Sequence, residues 1–84
     1  MKWHKTAEEK PTKLLGEYLV ARCINGLKDP IYQVAIWSKN LRNTGCIEFD
    51  SEEYERSGFY TYTDEMIAYE INPDAWIEIE RYEK

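Results

Sequence analysis

A chain of 84 residues is long enough for one domain, and we expect residues 1–84 to form a single β-rich domain. The chain has no apolar run near the roughly 20 residues of a membrane-spanning helix and no apolar signal-peptide core, so we expect a soluble cytoplasmic protein without a membrane partner. Two cysteines and one histidine disfavour a disulfide framework, a zinc site and a cysteine–histidine catalytic pair, and we expect Cys23 and Cys46 to be free, buried thiols.

The first fifteen residues form a polar arm with one large aromatic side chain. Trp3 is expected to anchor this arm on the rest of the domain, because an aromatic group so near a terminus needs burial to be held in place. Thr6 and Glu9 have the spacing of a capping box, which predicts a single helical turn before Pro11.

A β-hairpin is predicted between residues 17 and 39. Its arms, 18–23 and 32–38, are rich in Val, Ile, Tyr and Trp, and the link between them contains Asn25-Gly26 and Asp29-Pro30. Apolar residues occur on both faces of both arms, which indicates a central strand pair that is covered on each side. The expected covers are the N-terminal arm on one face and residues 40–45 or the segment around Tyr54 on the other.

The next segment, residues 46–50, alternates cleanly between apolar and acidic side chains. This pattern predicts a strand in which Ile47 and Phe49 face the core while Glu48 and Asp50 face solvent. Residues 51–57 are polar and predict a connection with one helical turn, capped by Asp50 or Ser51.

Three further strands are predicted, at residues 59–62, 66–71 and 75–82, with a turn at 72–74. For the last of them the alternative is a short helix that Asp74 would cap. The predicted fold class is therefore all-β, or β-dominated α+β: a single small antiparallel twisted sheet of five to six strands with one or two short helical turns. The predicted core comprises Leu19, Val20, Val34, Ile36, Trp37, Ile47, Phe49, Ile67 and Ile71.

Charge is distributed unevenly along the chain. Residues 1–42 carry eight Lys or Arg against four Asp or Glu, a net +4, and residues 43–84 carry three against twelve, a net −9, which together give −5. The acidic half could attract a basic protein partner, and it disfavours direct nucleic-acid binding. The alternative is that these acids only solvate edge strands. The candidate partner-binding residues crowd within eight positions: Glu48, Asp50, Glu52, Glu53 and Glu55.

Several short motifs follow one another along the chain: Trp3, Glu8 or Glu9 and Pro11, then Gly16 to Val20, Trp37, Ile67 to Tyr69 and Pro73. Their order resembles a family of small uncharacterised proteins found in phages, prophages and gut bacteria. The opening Trp3, Glu8 or Glu9 and Pro11 are similar to the family's Trp-x-x-x-x-Glu-x-x-Pro signature. Its closing signature, Ile-x-Trp-Met-x-x-Pro, has its counterpart at 67–69 and Pro73, although Tyr69 stands where Trp is usual. The other matching segments are Gly16 to Val20 and Trp37. The resemblance implies a domain of unknown function encoded on mobile DNA and implies no catalytic or binding residue.

The sequence contains no motif of catalytic, cofactor-binding or metal-binding specificity, and we expect a non-enzymatic protein without a cofactor. Two hypotheses follow. The first is an accessory protein of a phage or mobile element that binds another macromolecule through its acidic half. The alternative is a structural or self-associating β-sheet module whose open edge pairs with itself or with a partner strand. We expect the protein to be a monomer or weak homodimer; a stable homodimer would favour the module, and a monomer the binder of another macromolecule.

Overall fold

In the computed structural model, which describes residues 2–79, the chain forms one antiparallel sheet of six strands. The strands are β1 (His4–Lys5), β2 (Leu15–Arg22), β3 (Ile31–Ser38), β4 (Gly58–Tyr62), β5 (Ala68–Ile71) and β6 (Ala75–Glu78). Their order across the sheet is β1-β6-β2-β3-β4-β5. The predicted all-β class is confirmed.

The hairpin of β2 and β3 lies at the centre of this sheet, as predicted. Its ladder runs without interruption from Leu15 opposite Ser38 to Arg22 opposite Ile31. The link reverses direction through Gly26, whose φ of 91° lies in the left-handed region that glycine adopts without steric cost. The hairpin thus supplies two long strands onto which β6 and β4 add from either side.

One face of the sheet, which we call the aromatic face, carries the main core. Phe59 packs edge-on against Trp37 and Tyr18, with ring centroids 4.9 and 6.3 Å apart, and Tyr18 also meets Trp76 at 5.1 Å. Val20 is fully buried beside them. Edge-to-face geometry suits the quadrupoles of aromatic rings, so this cluster combines apolar burial with specific orientation.

The N-terminal arm covers the aromatic face, as predicted. The His4 ring stacks on Trp76 at a centroid distance of 4.3 Å, and the Trp76 indole N–H donates to the Glu9 carbonyl at 2.8 Å. Pro11 is buried, and the Lys5 carbonyl accepts hydrogen bonds from two later backbone N–H groups, which closes the single predicted turn. The arm is therefore tied to β6 by a stacking contact and a hydrogen bond.

The opposite face is partly covered by three short 3-10 helices: Leu41–Thr44, Ile47–Phe49 and Glu52–Tyr54. We call residues 41–54 the 3-10 segment. Its Leu41 and Phe49 are almost completely buried and pack with Tyr60 and Ala68 on the sheet. The Asn40 side chain caps the first helix by accepting from the Arg42 N–H at 3.1 Å.

The predicted strand at 46–50 is wrong. The ladder position beside β3 is taken by β4, so the segment crosses over the sheet instead of joining it. In its 3-10 turn Phe49 points into the core, whereas Ile47 is 83% exposed. Two apolar residues two positions apart share a strand face but point in different directions on a 3-10 helix, where the repeat is three.

Several predicted core residues are confirmed and others are not. Those confirmed as buried are Val20, Trp37, Phe49 and Ile71. Leu19 and Ile36 are only partly buried, and Val34, Ile47 and Ile67 are exposed, as is Cys23. The closing segment is a strand rather than a helix, and residues 80–82 of its predicted span lie outside the described residues. Asp74 caps no helix; its carboxylate accepts the Cys23 backbone N–H at 2.7 Å.

Gly58 occupies a position where an added side chain would collide with two neighbouring side chains. An added Cβ would lie 2.9 Å from a carboxylate oxygen of Glu70 and 3.0 Å from Cδ1 of the buried Leu41. Arg56 holds the Glu70 carboxylate with two hydrogen bonds of 2.6 Å, so the carboxylate resists displacement. We expect Gly58→Ala to lower the free energy of unfolding by about 1–3 kcal/mol, measured by urea denaturation.

The control for this prediction is the same change in a Glu70→Ala background, where one of the two obstructing groups is absent. The cost of Gly58→Ala should then be smaller, because only Leu41 opposes the new methyl group. An equal cost in both backgrounds would contradict the proposed clash with the carboxylate.

Candidate protein-docking surface

Part of the second face of the sheet is open to solvent in the described part of the chain. Leu15, Tyr32 and Val34 point from β2 and β3 to this face and are 58, 58 and 51% exposed. Leu19, which lies opposite Val34, and Ile36 are partly buried beside them. We call these five residues the open patch. Large apolar side chains gathered on one face of an otherwise packed sheet are typical of an interaction surface.

The open patch has distinct borders on two sides. On one side the 3-10 segment approaches β4, where the Cys46 thiol lies 3.4 Å from the Tyr62 hydroxyl and Ile47 projects into solvent. On the other side the Trp3 ring packs against Tyr32 at a centroid distance of 5.8 Å. Trp3 is therefore the anchor that the sequence predicted, but it contacts the open patch, whereas His4 contacts the aromatic face.

One negative charge lies within the open patch itself. Glu17 is exposed, and its position on β2, between Leu15 and Leu19, directs it to the same face, opposite Ile36. The 3-10 segment adds further carboxylates at the border. The surface thus combines exposed apolar side chains with nearby carboxylates. Such a surface favours a partner in which apolar residues are flanked by Lys or Arg.

The five acidic residues predicted to bind a partner all lie on or immediately beside the 3-10 segment, but three of them are engaged within the protein. Glu48 accepts the Ala68 backbone N–H at 3.1 Å. Arg42 lies between the other two, at 3.0 Å from Glu55 and 3.9 Å from Asp50. These contacts join parts of the chain that are 8 to 20 residues apart and leave less free negative charge than the sequence suggests.

Glu52 and Glu53 are the remaining pair. Both are exposed, and neither has an ion-pair partner among residues 2–79, although the Ser51 hydroxyl donates to Glu53 at 3.3 Å. These two carboxylates are consequently the members of the acidic group best placed to meet a positively charged partner.

A cluster of hydroxyl and thiol groups joins the 3-10 segment to β4. Burial, followed by the neighbouring Cys46, raises the pKa of Tyr60, and the hydrogen bond with Cys46, followed by burial, raises the pKa of Tyr62. Both phenols therefore stay neutral at physiological pH and act here as hydrogen-bonding groups. Cys46 and Cys23 are both free thiols, as predicted, but neither is buried: Cys23 is exposed and Cys46 is partly buried.

The outer edges of the sheet offer little room for another strand. Of the two outermost described strands, β1 has only two residues. At the other edge, on β5, the Ala68 N–H is already taken by the Glu48 carboxylate rather than by a strand. A new strand would first have to displace that carboxylate. This arrangement resembles the charged edges by which proteins avoid uncontrolled strand pairing.

Within residues 2–79, no group of three or more His, Cys, Asp or Glu side chains is arranged to hold a metal ion. The same residues contain no helix that is both long and apolar enough to cross a membrane. Searches of family models, curated proteins and solved structures found no match to this chain.

Sequence reasoning recognised that both hairpin faces are apolar but interpreted them as covered on both sides. The open patch could have been anticipated by comparing the number of residues outside the strands with the area of the two sheet faces. The N-terminal arm covers the aromatic face, and the link between β3 and β4 packs its buried residues over Tyr60 and Ala68. Within residues 2–79, these two segments leave Val34 and Leu15 exposed.

Proposed function

We propose that this protein is a non-enzymatic binding module that docks another protein on the open patch. The observation that carries the proposal is the presence of three large apolar side chains, each more than half exposed, on one continuous sheet face. The partner would insert apolar residues between the 3-10 segment and Trp3. In line with its sequence resemblance, such a module would serve as an accessory protein of a phage or other mobile element.

The size of the open patch limits what apolar contact alone can achieve. Burying the exposed half of Leu15, Tyr32 and Val34 contributes on the order of 1 kcal/mol each. Association costs at least about 4 kcal/mol in lost translational and rotational freedom. The three anchors therefore do not suffice, and a specific partner must also use the charged border.

Charge selects the kind of partner. Glu17 within the open patch and Glu52 and Glu53 on the adjoining segment favour a surface that carries Lys or Arg around an apolar centre. A second copy of this chain fits less well, because each copy has a net charge of −5 and would bring the same acidic segments to the contact. The edge-pairing alternative is disfavoured by the short β1 and by the Glu48 carboxylate at β5.

A peptide-display selection tests this proposal. Random peptides selected on the wild-type protein should be enriched in Leu, Phe or Trp flanked by Lys or Arg. Val34→Lys should weaken their binding at least about tenfold, since one buried apolar contact is replaced by a repelling charge. The matched control is Leu27→Lys at the hairpin tip, where a side chain of 55% exposure is changed outside the open patch.

The electrostatic contribution to peptide binding is measured separately, through the dependence of affinity on salt concentration. Affinity should fall as the salt concentration rises past about 0.15 M, where charges are screened over about 8 Å, and Glu52→Lys with Glu53→Lys should reduce this salt dependence. Selected peptides without basic residues, or equal binding by Val34→Lys and Leu27→Lys, would overturn the proposal. Light scattering that detects a dimer broken by Val34→Lys would replace it with self-association.

A further inference from the structure

A small cavity lies away from the open patch, where the N-terminal arm meets the start of β4 and the end of β5. Its volume is about 160 Å³. Its polar lining comes from Thr6 and Lys10 of the arm, Trp37 of β3, Arg56 and Ser57 before β4, Glu70 of β5, and Asn72 after it. We call it the arm pocket. Phe59, Ile71 and Pro73 supply apolar walls.

Two side chains of the arm pocket carry buried polar atoms that lack a partner within residues 2–79. They are Nε1 of Trp37, a residue with only 3% of its surface exposed, and the hydroxyl oxygen of Thr6. An indole N–H can only donate, whereas a threonine hydroxyl both donates and accepts. Buried polar groups are nearly always hydrogen-bonded, so two unsatisfied groups beside one cavity indicate a missing acceptor.

The charged residues of the arm pocket point to the same kind of ligand. Arg56 uses one N–H on each terminal nitrogen to hold Glu70, at 2.6 Å each, and a guanidinium group has five N–H donors in all. Lys10 forms no ion pair with any residue in the described part of the chain. Lys10 and Arg56 together exceed the charge of Glu70 by one positive unit.

We propose that the arm pocket binds a small oxyanion, that is, the carboxylate or phosphate group of a ligand. A cation would be repelled by the excess positive charge, and an apolar molecule would leave the Trp37 and Thr6 groups unsatisfied. At about 30 Å³ per water molecule, the cavity has room for about five waters, which suits a head group rather than a large metabolite. The arm then serves as one wall of a ligand site in addition to covering the sheet.

Nuclear magnetic resonance of the indole N–H groups tests the proposal on the intact protein. Acetate and inorganic phosphate are titrated separately, with sodium chloride as the reference at equal ionic strength. Binding should shift the Trp37 indole resonance saturably, while the Trp76 resonance, whose N–H is already bonded to Glu9, should move much less. Saturation by phosphate alone or by acetate alone identifies the head group.

Variants locate the bound ion. Lys10→Gln and Thr6→Val should each weaken binding about tenfold, the loss typical of one hydrogen bond to a charged group. Lys28→Gln, an exposed lysine on the hairpin link, is the control and should bind like the wild type. The proposal is overturned if neither ion shifts the Trp37 resonance beyond the chloride reference, or if Lys10→Gln and Lys28→Gln bind equally well.

Discussion

Replacing Phe59 with alanine should lower the free energy of unfolding by about 3–5 kcal/mol, the loss typical of removing a buried aromatic ring from a core. Phe59 is 2% exposed, and its ring meets both Trp37 and Tyr18 at edge-to-face distances. Removing it leaves a cavity that these two large, stiff rings cannot close. Because a small domain has a total free energy of unfolding of only about 5–15 kcal/mol, the substitution removes a large share of the protein's stability.

Urea denaturation followed by tryptophan fluorescence measures this loss. Two variants serve as controls. Phe59→Leu keeps most of the volume and should cost less than about 1.5 kcal/mol. Tyr62→Ala changes an aromatic residue of the same strand that is 39% exposed, and it should cost clearly less than Phe59→Ala. An unfolding midpoint for Phe59→Ala equal to that of the parent would mean that the aromatic face is not the main core.

Alkaline pH should destabilise the protein because of its buried tyrosines. Burial, followed by the negative charge of Glu78, raises the pKa of Tyr18 above its ordinary value of 10.0. Burial likewise raises the pKa of Tyr60. In the unfolded chain both phenols ionise near pH 10, whereas in the folded protein they stay neutral to higher pH. The stability that these two tyrosines contribute is therefore fully present below about pH 10. It is lost as the pH rises through their pKa values in the folded protein.

The melting temperature, measured by circular dichroism, should thus stay level up to about pH 9 and fall above about pH 10, together with the appearance of tyrosinate absorbance. Tyr18→Phe should make the fall shallower, since a group that resists ionisation is removed while the ring remains. Tyr32→Phe is the matched control at a ring that is 58% exposed. Parallel curves for Tyr18→Phe and the parent would show that Tyr18 does not contribute.

The sequence predicted the parts of the fold in which local pattern and tertiary position agree. The hairpin arms combine β-branched and aromatic residues with turn residues between them, and the structure pairs them throughout except at Cys23, which lies just beyond β2. Pro73 likewise separates β5 from β6, because proline cannot donate to a ladder. These features depend on neighbours along the chain and are therefore readable from it.

The features that sequence analysis missed depend on contacts between distant residues. The alternation at Ile47 and Phe49 is compatible with a strand, and only the occupation of the position beside β3 by β4 excludes one. The charges were counted correctly, but their partners were not visible. Arg42 forms an ion pair with Glu55, 13 residues away, and the Glu48 carboxylate accepts a hydrogen bond from the backbone N–H of Ala68, 20 residues further on. Part of the acidic segment therefore stabilises the fold through contacts within the protein.

The position of β6 between β1 and β2 has a consequence for how the chain reaches its native state. Strands β2, β3 and β4 each pair with the next strand along the chain, so the four-stranded meander β2 to β5 can form before β6 docks. During that interval one edge of β2 is unpaired and Tyr18 lacks its contact with Trp76. Closure then requires β6 to return across more than 50 residues to β2. Such a non-local step slows folding and leaves the incomplete sheet open to premature strand pairing. The arm can settle only afterwards, because its strand β1 pairs with β6 alone.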